Sequence, residues 1–390
     1  MIGRIRKIIF LRDVLLVSLS AFGGAPAHFT LFLKFFVEKR GYLSEKELIE
    51  LNALCNLLPG PTSTQTIISI GFRLGGPKLA YLTLLVWMLP AFLVMTTAGI
   101  IMSSFYRKGF SIDFTKYIQP MAVGFICYAA YKITRAQVTT KTALAIMVGS
   151  AAVSMLYNVP WIFPILLLVS GSITTYKFRK QPKQDKGSFS IRPENLILWL
   201  GVFLFAVFLG AVTGYLPLRL FENFYRTGSI VFGGGHILVP LMYSEFVELK
   251  NYLSSEEFLA GLAFTQAVPG PVFSFCAYVG ALSMRDYGIG GEILGAVLAS
   301  AGIFLPGTFL VFFLSRFWES LKPYRIIRAS LEGITACSAG LIIGAAYILF
   351  KPIEFNVINL LFVSGTFLLL FTRIPPPLLI VAGLLAGFIF

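Results

Sequence analysis

The residues best placed to do chemistry in this chain come in two copies. Pro59-Gly60-Pro61 is followed by Thr62, Ser63, Thr64 and Gln65, and Pro269-Gly270-Pro271 by Val272, Phe273 and Ser274. Proline suits the first turn of a helix and forbids a continuous helix through the motif, so each tripeptide should end one helix and begin another. The new helix then starts with N–H groups that have no partner inside it. Such N–H groups, with hydroxyls beside them, form an anion site. The first copy is far more polar than the second, so the first is expected to contact a ligand and the second, with Ser274, to be partly structural. Phe22-Gly23-Gly24 and Phe232-Gly233-Gly234 also interrupt helical periodicity, each ahead of an apolar helix. Four helix starts carrying about +0.5 each would offset a dianion, less whatever the opposing helix C-termini subtract. Plainer readings exist for both motifs: an external turn for Pro-Gly-Pro, and close helix packing for paired glycines.

The only two histidines, His28 and His236, lie within a few residues of these glycines, which suits substrate contact or protonation as well as simple packing. Lys34 sits on an otherwise apolar stretch and could attract an anion; Glu245, one position beyond the equivalent of Lys34, could carry a proton. Either could instead snorkel to an interface, as could Arg73. Glu222 and Glu332 are the remaining candidate proton carriers, and loop acids such as Glu256 and Glu257 are expected to be solvated.

The elements that must hold these residues are membrane helices. Of 390 residues, 57% are apolar and only 13% charged, which excludes an ordinary soluble enzyme and a disordered chain. At roughly 20 residues per crossing there is room for about ten spans and no large soluble domain. Residues 22–61 align with 232–271 at a constant offset of 210, with 15 identities in 40 positions, so the chain is a duplication. Further on, Gly75-Gly76 pairs with Gly290-Gly291 and Leu89-Pro90 with Leu305-Pro306, as the offset grows to 215 and 216. The expected organisation is a first repeat over 1–176, a basic cytoplasmic linker over 177–195, an extra span over 196–216 and a second repeat over 217–390. The unpaired span would carry the chain across once more, which makes the repeats inverted. The first residues, MIGRIRKIIFLRDVLLVSLSAF, read as a retained amphipathic helix, because Arg12 and Asp13 interrupt the apolar core a signal peptide needs.

Other spans are expected at 78–105, 117–135, 141–157 and 160–176, then at 292–317, 327–350, 356–371 and 375–390. The segments 45–58 and 61–75, roughly 21–23 Å each as helix, are too short to span and should form a broken, re-entrant hairpin. Broken helices at matching places in two repeats mark the binding site of a transporter. The fold class is therefore an all-α polytopic membrane protein with two homologous halves and re-entrant hairpins at the Pro-Gly-Pro motifs. The formal charge of +14 fits basic cytoplasmic loops, not nucleic-acid binding. Cys55, Cys127, Cys276 and Cys337 are scattered and read as free thiols, and no metal, cofactor, P-loop, zinc or serine-hydrolase motif is present.

These motifs resemble the chromate ion transporter family. The resemblance rests on FGGAPAH at Phe22–His28, FVEKR at Phe36–Arg40, ALCNLLPGP at Ala53–Pro61 with Gln65 after it, FGGGH at Phe232–His236 and QAVPGP at Gln266–Pro271, and it covers both halves. Ala25-Pro26 and Asn56 depart mildly from the family pattern. The resemblance adds Asn56 and Gln266, just ahead of the two turns, to the candidate contacts. It implies a secondary transporter in the prokaryotic plasma membrane for chromate, sulfate or a similar oxyanion, conferring chromate resistance. The partners to expect are the oxyanion, the lipid bilayer and a second copy in a homodimer. Efflux is favoured, because an inside-negative potential of 100 mV drives a dianion outward by about 4.6 kcal/mol. The rival class is a channel-like or scaffold subunit without alternating access.

Overall fold

The computed structural model describes residues 4–56, 58–108, 113–157, 159, 162–176, 194–231, 235–315, 325–372 and 374–389, without the side chains of 4, 26, 236, 237 and 325–328. Gly233, Gly234, the His236 side chain and most of the expected linker lie outside them. Sixteen α-helices and short π and 3-10 segments fill the described residues, and no strand occurs among them. In the first half these are α1 (Arg4–Ser20), α2 (Gly24–Phe32), α3 (Glu45–Asn56), α4 (Thr62–Arg107), α5 (Ile118–Gln137), α6 (Lys141–Leu156) and α7 (Ile162–Thr175). Then come α8 (Glu194–Thr213), α9 (Leu216–Ile230), α10 (Gly235–Met242), α11 (Ser255–Ala267), α12 (Phe275–Ser283) and α13 (Gly288–Ser315). The last three are α14 (Arg325–Phe350), α15 (Val357–Leu369) and α16 (Pro376–Ile389).

Four helical stretches, in α4, α8, α13 and α14, are long and apolar enough to cross a membrane. Their outward residues are large and apolar: Leu85, Leu93, Leu204 and Phe208 are each about half or more exposed. A surface of that kind suits hydrocarbon and not water.

The duplication is visible in backbone detail. Phe36-Val37-Glu38 and Phe246-Val247-Glu248 lie in two π-helical segments, Leu33–Lys39 and Tyr243–Leu249. Each is closed by an N–H five residues on, Arg40 to the Phe35 carbonyl and Lys250 to the Glu245 carbonyl, both 3.1 Å. Gly41 (φ 60°) and Asn251 (φ 51°) then turn the chain in the left-handed region, which only glycine and, less easily, asparagine enter at low cost. Next comes a capping box in both copies: Ser44 N–H to Glu47 Oε2 with Glu47 N–H to Ser44 Oγ, and the same between Ser254 and Glu257. This corrects the expectation for Glu257, which is 4% exposed: the acid of a capping box folds back on its helix instead of reaching for solvent.

After the Pro-Gly-Pro turns the pairing also needs correction. Gly76 (φ 75°, ψ −167°) breaks α4 into 62–75 and 77–107, and its counterpart is Gly288 (φ 69°, ψ −169°), not Gly290-Gly291. The four extra residues before Pro306 amount to about one helical turn. Because α13 begins at Gly288, Glu292 falls on a buried face at 0% exposure.

The chain forms two compact units that follow neither repeat boundary. The first comprises Met1–Ile100, Gly187–Gly235 and Val268–Leu321, the second Ile101–Lys186, His236–Ala267 and Lys322–Phe390. In the second, α14 packs on α5, α6 and α7. Glycines allow the closest approaches: a Cβ at Gly333 would strike the Ser170 carbonyl, at Gly340 the Met147 carbonyl, and at Gly344 the Ser154 side chain. In the first, α13 packs on α8, α9 and α12, and α1 lies on a core of Phe10, Val14, Phe32, Phe36, Leu48 and Trp87.

Asp13 is the polar exception in that core. Fully buried on α1, it accepts from Arg40 Nη2 and from the Tyr42 hydroxyl, each at 2.6 Å. Burial first, then the bond to Asp13, pushes the Tyr42 phenol above its ordinary pKa, so it remains a donor. The cluster ties α1 to the connection between the first π segment and α3. At the equivalent position of α9 stands Asn223, whose Nδ2 has no partner, while Lys250 pairs with Glu245 at 2.9 Å. Asp13→Ala should therefore lower stability by about 1–3 kcal/mol, because two donors lose their acceptor. Asp13→Asn, which keeps an acceptor, should lose less. Thermal unfolding of the purified protein in detergent checks both, and equal losses would contradict the assignment.

Candidate functional site

The two Pro-Gly-Pro turns meet the two glycine breaks inside the first unit, and they do so crosswise. Gly60 N–H donates to the Val231 carbonyl (2.6 Å), and Gly270 N–H donates to the Ala21 carbonyl (2.8 Å). Ala21 follows α1 and Val231 caps α9, and the two are 210 residues apart, as are the two glycines. Each turn therefore caps the C-terminal end of the helix that opens the other repeat. A reciprocal exchange of this kind is what a two-fold relation between like halves produces. Both glycines have positive φ, 112° and 123°, a conformation that a side chain would strain. Their close neighbours match too: a Cβ at Gly270 would lie 2.9 Å from the Ala91 Cβ, and one at Gly60 would lie 3.6 Å from the Gly307 Cα. Ala91 and Gly307 directly follow Pro90 and Pro306, which supports the offset of 216 at those prolines.

A small pocket of about 270 Å3, mouth included, opens at this crossing. From the first repeat it is lined by Gly24, Ala25, His28, Pro61, Thr62 and Ser63, and from the second by Gly235, Pro271, Val272 and Phe273. These are the first residues of α2, α4 and α10 and of the short 3-10 turn leading into α12. Three of the breaks, and the start of α10 directly after the fourth, thus contribute to one cavity. In α4 the first helical bond is Gln65 N–H to the Pro61 carbonyl (2.9 Å), so the N–H groups of Thr62, Ser63 and Thr64 have no acceptor within the helix. The adjacent carbonyl ends of α1 and α9 are already occupied by Gly270 and Gly60, so much of the negative potential they would bring is spent on backbone donors.

Behind this lining the polar groups are bound to one another. His28 Nε2 lies 3.0 Å from the Ala21 carbonyl and Nδ1 lies 3.0 Å from Ser63 Oγ, with the ring edge-on to Trp87 at 5.4 Å. Trp87 Nε1–H donates to Thr64 Oγ1 (3.1 Å), and Thr66 Oγ1–H to the Thr62 carbonyl (2.8 Å). Gln65 is 1% exposed; its Nε2–H donates to the Pro59 carbonyl (2.6 Å), and its Oε1 is a buried acceptor with no partner. It clamps the turn from behind and does not line the pocket.

The remaining candidates lie elsewhere. Gly23 (φ 91°) precedes α2, where it sets the angle at which that helix starts. Lys34 and Asn56 are exposed, Gln266 is half-buried at the end of α11, and Ser274 is buried in the 3-10 turn. Glu245 is buried in the second unit and ion-paired to Lys250, and Arg73 pairs with Glu47. Glu222 pairs with Arg226, and Glu332 accepts from Thr140. Sequence reasoning missed the Ala21 and Val231 carbonyls, which no side chain announces. It also passed over Trp87, whose place on an apolar helix gave no signal.

A family model described as "Chromate transporter" matches residues 9–175 and again 218–388. The chain belongs to the chromate transporter family. Members of this family are transporters and not enzymes, and the chain is accordingly a multi-pass membrane protein. Among its relatives, a probable chromate transport protein of Synechococcus elongatus is 27% identical over 95% of this chain and 92% of its own length. The chromate transport protein of Cupriavidus metallidurans is 25% identical over 94% and 89%, and an uncharacterized transporter of Methanocaldococcus jannaschii 24% over 96% and 92%. No solved structure gives a significant match.

For this transporter the crossed turns make a clear prediction. Gly60→Ala and Gly270→Ala should each cost about 1–3 kcal/mol in stability and most of the transport, because both need positive φ and a Cβ would press on the Gln65 side chain at Gly60 and on Ala91 of the other repeat at Gly270. Gly149→Ala, on an exposed face of α6 with open space around it, should leave both unchanged. Thermal unfolding and flux assays on the three variants check this.

Proposed function

We propose that the chain is a secondary transporter that binds chromate, or a tetrahedral oxyanion of the same charge such as sulfate, in the pocket where the breaks meet. The observation that carries the reading is that the starts of α2, α4 and α10 line one pocket, with Thr62 and Ser63 in the lining and the first N–H groups of α4 without a helical acceptor, while the Ala21 and Val231 carbonyls beside it each accept from a turn glycine. An oxyanion has acceptors and no donors, so it fits a cavity of that kind. Thr62 and Ser63 supply the polar part of the lining, and Val272 and Phe273 an apolar part. The names of the Synechococcus and Cupriavidus relatives support chromate as the first anion to test.

The reading includes opposite orientation of the two repeats. Its support is α8, which is apolar enough to cross and lies between the two segments the family model matches, 9–175 and 218–388, so it adds one crossing between them. It also includes outward transport, since the inside-negative potential moves a dianion outward by about 4.6 kcal/mol per 100 mV.

Flux of radiolabelled chromate and sulfate into proteoliposomes under an imposed potential tests the proposal. A carrier should give saturable flux and counterflow, and Thr62→Val, which removes one hydroxyl from the wall, should raise KM about five- to tenfold. Flux that never saturates would indicate a channel. No flux of either anion by folded protein would sink the substrate assignment.

A further inference from the structure

We propose that His28 and Ser63 form a proton-operated donor switch, so that each oxyanion entering the pocket brings one proton onto His28 Nδ1. The inference rests on the pocket being the oxyanion site. Its starting point is the direction of two hydrogen bonds. A carbonyl oxygen only accepts, so the ring nitrogen 3.0 Å from Ala21 O, Nε2, carries a proton. In the neutral ring Nδ1 is then a lone pair, and the Ser63 hydroxyl 3.0 Å away must donate to it. Ser63 lines the pocket, yet in this arrangement its hydrogen points at the histidine and an incoming oxyanion meets lone pairs.

Protonation of Nδ1 reverses the bond. The Nδ1 lone pair takes a proton from water, the new Nδ1–H donates to Ser63 Oγ, and the hydroxyl hydrogen turns into the pocket, where it can donate to an anion oxygen. No heavy atom has to move. The same proton gives the pocket a positive charge behind its polar wall. The Ala21 bond survives in both states and holds the ring in place, and Ala21 O is itself fixed by Gly270 N–H.

Among the described side chains, nothing else at the site supplies that charge. Of the ten lining residues, His28 alone is ionisable. From the elements packed around it, the groups recorded against the ring are Ser63 and Trp87 of α4 and the Ala21 carbonyl. The ionisable residues nearby in sequence are engaged or turned away: Asp13 by Arg40 and Tyr42, Arg73 by Glu47, and Lys34 exposed beyond α2. An imidazolium in this buried place therefore finds its counter-charge in the anion, and the anion finds its charge partner in the imidazolium. Each raises the other's affinity by the same factor. A dianion that travels with this proton moves one net charge across the membrane and not two.

Titration calorimetry of sodium sulfate, whose dianion does not titrate in the working range, and of sodium chromate where it is fully the dianion, into the purified full chain in buffers of different ionisation enthalpy measures the proton taken up. The expected result is about one proton per anion, with affinity falling about tenfold per pH unit on the alkaline side. His28→Gln should bind more weakly with no proton uptake and no pH dependence. Ser63→Ala should keep the uptake but lose about five- to tenfold in affinity at acid pH. Wild-type binding without proton uptake would overturn the switch, a result that does not depend on any variant folding, and so would full uptake by folded His28→Gln. Saturable flux with pH-independent binding would overturn the switch alone, whereas absence of binding and flux at every pH would overturn the oxyanion reading together with it.

Discussion

The bonds from Gly60 to Val231 and from Gly270 to Ala21 satisfy a constraint that every broken helix in a membrane faces: backbone groups released from a helix must find partners where water is absent. Each Pro-Gly-Pro turn exposes an N–H and each glycine break exposes a carbonyl, and the two repeats satisfy one another. The pocket follows from that exchange. One carbonyl at each break is occupied, the first N–H groups of α4 have no helical acceptor, and the lining contains no lysine or arginine.

Near-symmetry in the backbone is combined with marked asymmetry in the side chains. The π segments, the left-handed residues at 41 and 251 and the two capping boxes repeat closely. The groups around them have diverged. Asp13 with Arg40 and Tyr42 anchors the first repeat, whereas the second has Asn223 and an internal Glu245–Lys250 pair. At the pocket, Thr62 and Ser63 stand where the second repeat has Val272 and Phe273. Duplication supplies the crossing, and divergence makes one half the polar part of the lining and the other the apolar part.

Much of this was legible in the sequence because helix-breaking residues act locally. Proline lacks an N–H wherever it stands, and glycine enters positive φ in any context, so the broken helices at Pro59–Pro61 and Pro269–Pro271 and the repeat itself could be read directly. Membrane character followed from composition alone, because a chain that is 57% apolar cannot cover itself with polar surface. The pairing of Gly75-Gly76 with Gly290-Gly291 failed because residue identity was used where backbone conformation decides, and Gly288 carries the conformation of Gly76. Glu257 was misjudged because an acid in a polar stretch looks solvated until its helix start is known.

The sequence by itself determined the helices, their breaks, the duplication and the kinds of group that stand at each break. Tertiary structure alone decided which break meets which: that Gly60 reaches Val231, that His28 holds Ser63 and Ala21 together, and that Gln65 turns to Pro59 while Lys34 and Asn56 point away. The physical reason is that helix propensity and chain breaking depend on neighbours a few residues apart. A pocket made of helix ends depends on segments some 40 to 250 residues apart arriving at one point, and no local pattern encodes that meeting.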